Sequence, residues 1–318
     1  MLSYQEFIHL DAPKLEKSLG MERCNKKLPP KEYLQAASWP TLFRYCLEEW
    51  FMIISCWIGM KFTSIYLYPI FALVLSGRFH ALGVLLHEAC HLRRSGGYWA
   101  YLVEILAGYP IASTIEAMRY HHLRHHLDTS KKTDPYFKSG IEKNKFLRFF
   151  MYLRAFLLVP FWMTRPLVGV MAYFFARPRN FYGHVFLQDK SKNDLRQSRN
   201  IKQCSSHEFG QLGFQIILLG VAIFFPKEFL YGYFLPVLIA AFTNGHRVIV
   251  EHFHEEIPNR KPKTIWNNTR DHGHNPLVRF LFFPRNIGYH RAHHLFPGAR
   301  QENLPKLTEW YQQFGSNL

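Results

Sequence analysis

Three histidine clusters constrain the fold of this chain more than any other feature. Residues 288–297 read GYHRAHHLFP, with His290, His293 and His294 at i, i+3 and i+4. Positions so spaced share one helix face, so their imidazoles converge. The spacing recurs at His122, His125 and His126 in YHHLRHH, and HEACH places His87 and His91 at i and i+4. Eight of the 18 histidines fall into these clusters, far apart in sequence. A polar helix surface explains one such cluster but not three together. Imidazole is the commonest protein metal ligand, so the chain is expected to fold the clusters around metal. One metal takes about four to six ligands, so eight converging imidazoles predict two metals. Imidazole suits iron, copper, zinc and nickel. The five cysteines, Cys24, Cys46, Cys56, Cys90 and Cys204, lack CxxC spacing. That argues against a thiolate site or a disulfide framework, and Cys90 reads as a small buried filler.

Hydropathy predicts where the clusters sit. Residues 64–86 carry one charged residue, Arg78, in 23 positions, enough to span a hydrocarbon core of roughly 30 Å. A first span is expected at 42–60, and a second hairpin at 212–225 and 229–245, parted by Pro226-Lys227-Glu228. Residues 146–176 are apolar but broken by Pro160 and Pro166 and charged at Arg148, Arg154 and Arg165. They are expected as two interfacial helices. Residues 1–41 are expected as an interfacial or cytosolic tail, 42–307 as the membrane domain and 308–318 as a second tail. No basic, then apolar, leader precedes them. The long segment 92–210, rich in Lys and Arg, marks the cytosolic side. Two hairpins return the chain to one face each time, so all three clusters and both termini are expected there. The fold class is therefore an all-α, multi-pass integral membrane protein: four transmembrane helices in two hairpins, with a cytosolic helical cap carrying the histidines. His80 lies about 10 Å deeper along its helix than His87. It reads either as a functional intramembrane residue or as a hydrogen-bonded histidine between helices.

The mean hydropathy of −0.14 leaves a large polar part, and 17% aromatic residues suit contact with the membrane interface. A net charge of +16 favours anionic lipid or an acidic protein partner. No zinc-finger or aromatic-rich nucleic-acid motif accompanies it, so nucleic acid is not an expected partner.

The order and spacing of HEACH, HHLRHH and HRAHH, with a hydrophobic hairpin between the second and third, resemble the membrane fatty acid desaturase superfamily. That family shows HxxxH, HxxHH and HxxHH. The last box continues as HHLFPGARQENLP, similar to the family's HHLFP and following NLP-type turn. Upstream, RVIVEH resembles the stretch where members carry one further ligand. The likeness covers residues 42–307. It implies two iron ions held by His87, His91, His122, His125, His126, His290, His293 and His294, with His252 as a ninth ligand. His246 and His254 compete with His252, and His121 stands beside a box. Glu88 is expected as the carboxylate that holds an imidazole by its other ring nitrogen, with Asp134 and Asn244 as weaker candidates for that role. His272 and His274 belong to no box and are expected to be bystanders.

The resemblance implies an oxidase that uses O2 and two electrons on a fatty acyl lipid or acyl thioester, giving a double bond. A lipid or carotenoid hydroxylase or ketolase of the same superfamily is the alternative. The chain has no haem, Fe–S or dinucleotide motif, so electrons are expected from a separate ferredoxin or cytochrome b5-type donor. A membrane zinc protease is the rival class, because His87-Glu88-x-x-His91 matches HExxH. It leaves six box histidines unused. A non-catalytic metal transporter or haem-binding protein is a third reading, which the parity of the hairpins opposes.

Overall fold

The computed structural model describes residues 29–94 and 96–315. The expected tail at 1–41 therefore lies largely outside the described residues. Within them the chain is helical, and an antiparallel bridge between His252 and Thr269 is its one β-type contact.

Helix α1 (Trp39–Phe62) starts at Ser38, whose hydroxyl accepts from the Thr41 N–H. Its stripe Leu42, Cys46, Glu49 and Ile53 is buried against α2 (Tyr68–His91), while Phe51, Ile54, Ile58 and Phe62 face outward. Helix α2 is the axis of the molecule. From Leu75 to Cys90 nearly every residue is buried, as in a helix packed on all sides. Its arginine is paired: Arg78 meets Glu49 of α1 at 3.0 Å, and Arg285 meets the same carboxylate at 2.7 Å.

Short α3 (Gly97–Val103) leads through a π turn into α4 (Ile115–Asp128), capped by Thr114. Then follow α5 (Lys145–Met163), α6 (Arg165–Phe174) and α7 (Ala176–Val185). The chain bends by 45° between Phe156 and Val159. A proline clashes with the carbonyl four residues back, and Pro160 stands four residues after Phe156. Residues 146–176 thus form helices as expected, but the first runs through Pro160 instead of stopping there.

Helix α8 (Arg199–Phe224) is followed directly by α9 (Pro226–Val250), and α9 contains a π turn at Leu230–Phe234. Both helices extend beyond the apolar runs that predicted them. Trp57 of α1 donates to the Gly232 carbonyl of that turn at 2.8 Å. Among the described residues three helices are long and apolar enough to cross a membrane: 65–91, Arg199–Phe224 and Pro226–Val250. Counting the bent pair as one span gives four. Helix α1 falls outside that class because Arg44, Glu48, Glu49 and Lys61 interrupt it.

The C-terminal part carries α10 (Pro262–Asn268), α11 (Pro276–Leu281), α12 (His290–Leu295) and α13 (Leu304–Phe314). The expected tail at 308–318 is mostly helix. Leu304, Leu307, Trp310 and Tyr311 form one buried face against Ile265, Trp266, Leu295 and Phe296, and residues 316–318 lie outside the described residues. Gln35 and Glu32, just before α1, bond Arg300 and Asn303 through their backbone carbonyls, both at 2.9 Å.

Candidate metal centre

His87 and His91 occupy the last turn of α2, where the helix leaves four carbonyls without partners. Arg119 of α4 uses that need. Its guanidinium donates to the carbonyls of Cys90 (3.1 Å) and Leu92 (3.0 Å) and pairs with Glu116, which also holds Arg94 at 2.6 Å. This buried clasp pins α4 across the end of α2 and brings His122 and His126 to His87 and His91. The far end of α4 is closed by the Thr129 hydroxyl, which donates to the His125 carbonyl at 2.8 Å, and by Arg260, which donates to the carbonyls of His126 and Leu127.

Helix α12 presents His290, His293 and His294 on one face and Ala292 and Leu295 on the other, where they join the core built with α10 and α13. Its approach demands Gly288. A Cβ there would stand 2.1 Å from the His272 carbonyl oxygen, well inside van der Waals contact. His252 follows the end of α9 and is fixed by its bridge to Thr269.

The imidazole nitrogens close into two sets. One comprises His87, His91, His122 and His293, the other His125, His252, His290 and His294; within each, the ligand atoms lie within 4.8 Å of one another. His126 completes the first set, its Nε2 standing 2.9 Å from the Nε2 of both His122 and His293. His91 and His122 approach at 3.1 Å, His125 and His294 at 3.2 Å, and His252 and His290 at 2.9 Å, all between Nε2 atoms. An imidazole nitrogen sits about 2.1 Å from a divalent metal, so two at right angles around it are about 3.0 Å apart. The observed spacings are edges of such a polyhedron. Burial, then neighbouring imidazoles and arginine, push His122, His126, His290, His293 and His294 well below the usual range; burial and His125 do the same to His252. Neutral rings offer the lone pairs a metal needs. The donor set therefore fits two metal ions.

Carboxylates behind the rings complete the arrangement. Asp134 Oδ1 accepts from His125 Nδ1 at 2.8 Å and from the Tyr136 N–H at 2.8 Å, and Oδ2 accepts from the Ser130 N–H at 2.9 Å. Burial opposes ionisation of Asp134, but His125 and these bonds outweigh it and hold the carboxyl below its ordinary range. Glu251 lies 3.5 Å from His290 Nδ1, is clamped by Arg247 at 2.8 Å and meets His272 Nε2 at 3.0 Å. The sequence named Asp134 as a weaker candidate and missed Glu251, Arg247 and His272. Nothing in RVIVEH distinguishes Glu251 from a solvated charge.

Several expectations need correction. Glu88 holds no imidazole: its Oε1 accepts from the Gln301 N–H at 3.3 Å, and it is the residue beside His87 that turns to the opposite side of α2. HEACH thus lacks the base at the metal that a zinc protease requires. Asn244 bonds Arg247 at 3.4 Å and not a ring. His272 stands outside both imidazole sets and touches the Glu251 carboxylate. His246 bonds Tyr152 at 2.8 Å and His121 bonds Tyr136 at 2.8 Å. His254 faces the backbone of Lys138 (3.3 Å) and Ile249 (3.2 Å). These three stand outside both sets, whereas His252 stands inside. His80 faces Arg247 at 3.5 Å.

A cavity of about 320 Å3 runs beside the rings, touching His87, His122, His125, His252 and His290 and continuing between α2, α5 and α9 along Phe79, Val159, Trp162, Phe234 and Val237. Apolar helices long enough to cross a membrane, two imidazole sets that fit metal and a cavity laid against them define a membrane metalloprotein. A family model described as fatty acid desaturase matches residues 63–316. The chain belongs to the fatty acid desaturase family. No curated protein matches it.

Proposed function

We propose that the protein is an O2-dependent, di-iron desaturase that introduces a double bond into a fatty acyl chain. The observation that carries this reading is the apolar cavity laid directly against both imidazole sets. The ligands would be His87, His91, His122, His126 and His293 for one iron and His125, His252, His290 and His294 for the other. Iron bound there supplies the removal of two hydrogens from adjacent unactivated methylenes, with O2 reduced to water by two further electrons. The protein's own part is placement. Val159, Trp162, Phe234 and Val237 would line the acyl chain, and the rings of His87, His122, His125 and His252 would flank its passage. Asp134 keeps the His125 imidazole in fixed orientation.

Helices α1 and α2, and α8 and α9, would span the bilayer as two hairpins. The histidine sets and both termini would then face the cytosol. The outward Phe51, Ile58, Ile216, Ile217 and Phe224 suit lipid contact. Electrons would come from an acidic ferredoxin or cytochrome b5-type protein drawn to the basic cytosolic face, which the net charge of +16 supports. The test is lipid analysis of a host with the wild-type chain and with His293→Ala. A new unsaturated acyl chain in the first host alone is expected. A hydroxylated or keto product would move the protein to the alternative chemistry of its superfamily.

A further inference from the structure

Four lysine and arginine side chains line the cavity: Lys138, Arg154, Arg165 and Arg247. Two are neutralised within the fold. Arg165 pairs with Glu208 at 2.9 Å and Arg247 with Glu251 at 2.8 Å. The other two have no carboxylate among the described residues. The Lys138 ammonium donates only to the Pro135 carbonyl, at 3.3 Å. The one acid that bears on its charge, Asp134, is already committed to His125, Ser130 and Tyr136. Burial, together with Lys190 and Arg154, pushes the Lys138 ammonium down to about 8, as expected where cations are gathered without an anion.

Arg154 adds position. It belongs to α5, where Phe149, Phe150, Leu153 and Phe156 are exposed on the apolar outer surface. Helix α5 is drawn against α9 at the next residue, since a Cβ on Gly245 would stand 2.6 Å from that of Ala155. A guanidinium on a lipid-facing helix is costly unless it reaches an anion or the interface. Arg154 has no hydrogen bond or ion pair among the described residues and lines the cavity mouth instead. The cavity lining is therefore mixed: two unpaired cations, several imidazoles, and the apolar Val159, Trp162 and Phe234; along α5, Trp162 follows Arg154 by eight residues, about 12 Å.

We propose that Lys138 and Arg154 bind the phosphate-bearing head of the acyl substrate at the cavity mouth while its chain runs past the imidazoles toward Trp162 and Phe234. This rests on the acyl reading of the cavity and adds the charge class of the head. Guanidinium and ammonium groups suit phosphate, Arg by its fork and Lys as a point charge. Neutral heads, as in a diacylglycerol or a carotenoid, leave both cations unsatisfied. Two sources carry the same chemistry, a phospholipid and an acyl-CoA.

The test is binding, read by native mass spectrometry of the purified full-length protein. Dioleoyl phosphatidate, oleoyl-CoA and neutral dioleoylglycerol serve as probes. The variants are Lys138→Gln with Arg154→Gln together, Arg154→Gln alone, and Lys145→Gln as an exposed cation on the same helix away from the cavity. The double variant should bind the phosphate-bearing probe about 10- to 100-fold more weakly, with dioleoylglycerol binding, iron content and the Lys145→Gln protein unchanged. Loss on phosphatidate alone identifies a lipid source, and loss on oleoyl-CoA alone a thioester source. Unchanged binding of both phosphate probes, or an equal loss on dioleoylglycerol, overturns the proposal. If the double variant misfolds, Arg154→Gln on its exposed site carries the same comparison. Wild-type protein that retains none of the three probes would instead overturn the acyl reading, and the proposal with it.

Discussion

Asp134→Asn tests the division of the histidines into two sets. Asp134 Oδ1 serves His125 and the Tyr136 N–H while Oδ2 takes the Ser130 N–H. Asparagine keeps the shape and one acceptor. It loses the charge that makes His125 a stronger base, and its amide would face the Ser130 N–H donor against donor. Loss of such an outer carboxylate lowers metal affinity about 10- to 100-fold, which is about 1.4 to 2.8 kcal/mol. One buried donor left unpaired costs about 1–3 kcal/mol of stability. Only one set contains His125, so the effect should be local. Purified variant and wild type are dialysed against graded chelator, and iron is counted per chain. Wild type should hold two irons where Asp134→Asn holds one, and adding His293→Ala should remove the remaining one. If Asp134→Asn loses both irons together, or keeps two wherever wild type does, the partition is wrong.

Further outcomes follow from the same geometry. His252→Ala should lose one iron and activity as His293→Ala does, whereas His246→Ala and His254→Ala should keep two irons, all read as iron and product per inserted chain. His272→Ala should weaken iron binding modestly through Glu251, while His274→Ala should leave it unchanged; equal behaviour of the two would refute the carboxylate's role. Gly288→Ala should lose the iron of the second set and activity, because its methyl meets the His272 carbonyl oxygen at 2.1 Å, and a variant with full iron content would show that α12 needs no such approach. Reporter fusions at Ser191 and Leu318 should report one side of the membrane and a fusion at Lys227 the other; a lumenal or periplasmic Ser191 would break the two-hairpin topology.

The helical spacing of the histidines made the site legible. Sets drawn from i, i+3 and i+4 positions announce which atoms converge, although not how the rings sort between two metals. That sorting depends on the crossing of α4 over α2, fixed by Arg119 reaching carbonyls about 30 residues earlier. No local pattern encodes such a contact. Hydropathy likewise found the apolar cores but cut the helices short, since α8 and α9 continue as polar helix outside the apolar run. Glu49 counts against a span in any hydropathy window. Its partners Arg78 and Arg285 lie 29 and 236 residues away, which a window along the chain does not see. Glu88 misled for the opposite reason. Adjacency to His87 in sequence places it about 100° around the helix, facing Gln301.

The two imidazole sets also differ in when they exist. A ribosome delivers this chain from its N-terminus at about 5–20 residues per second. Once α4 has emerged, His87, His91, His122 and His126 are all available, and the first set lacks only His293. At the same moment the second set holds His125 alone, and its other three members arrive after residue 250. The first position is therefore able to hold an ion weakly on a half-made chain, to be secured once His293 arrives, while the second waits for the final fold of α12 against α13. Metal loading is thus expected to be ordered, first set before second. A chain ending at residue 285 should retain at most one iron; two would show that the sets fill independently of the C-terminus.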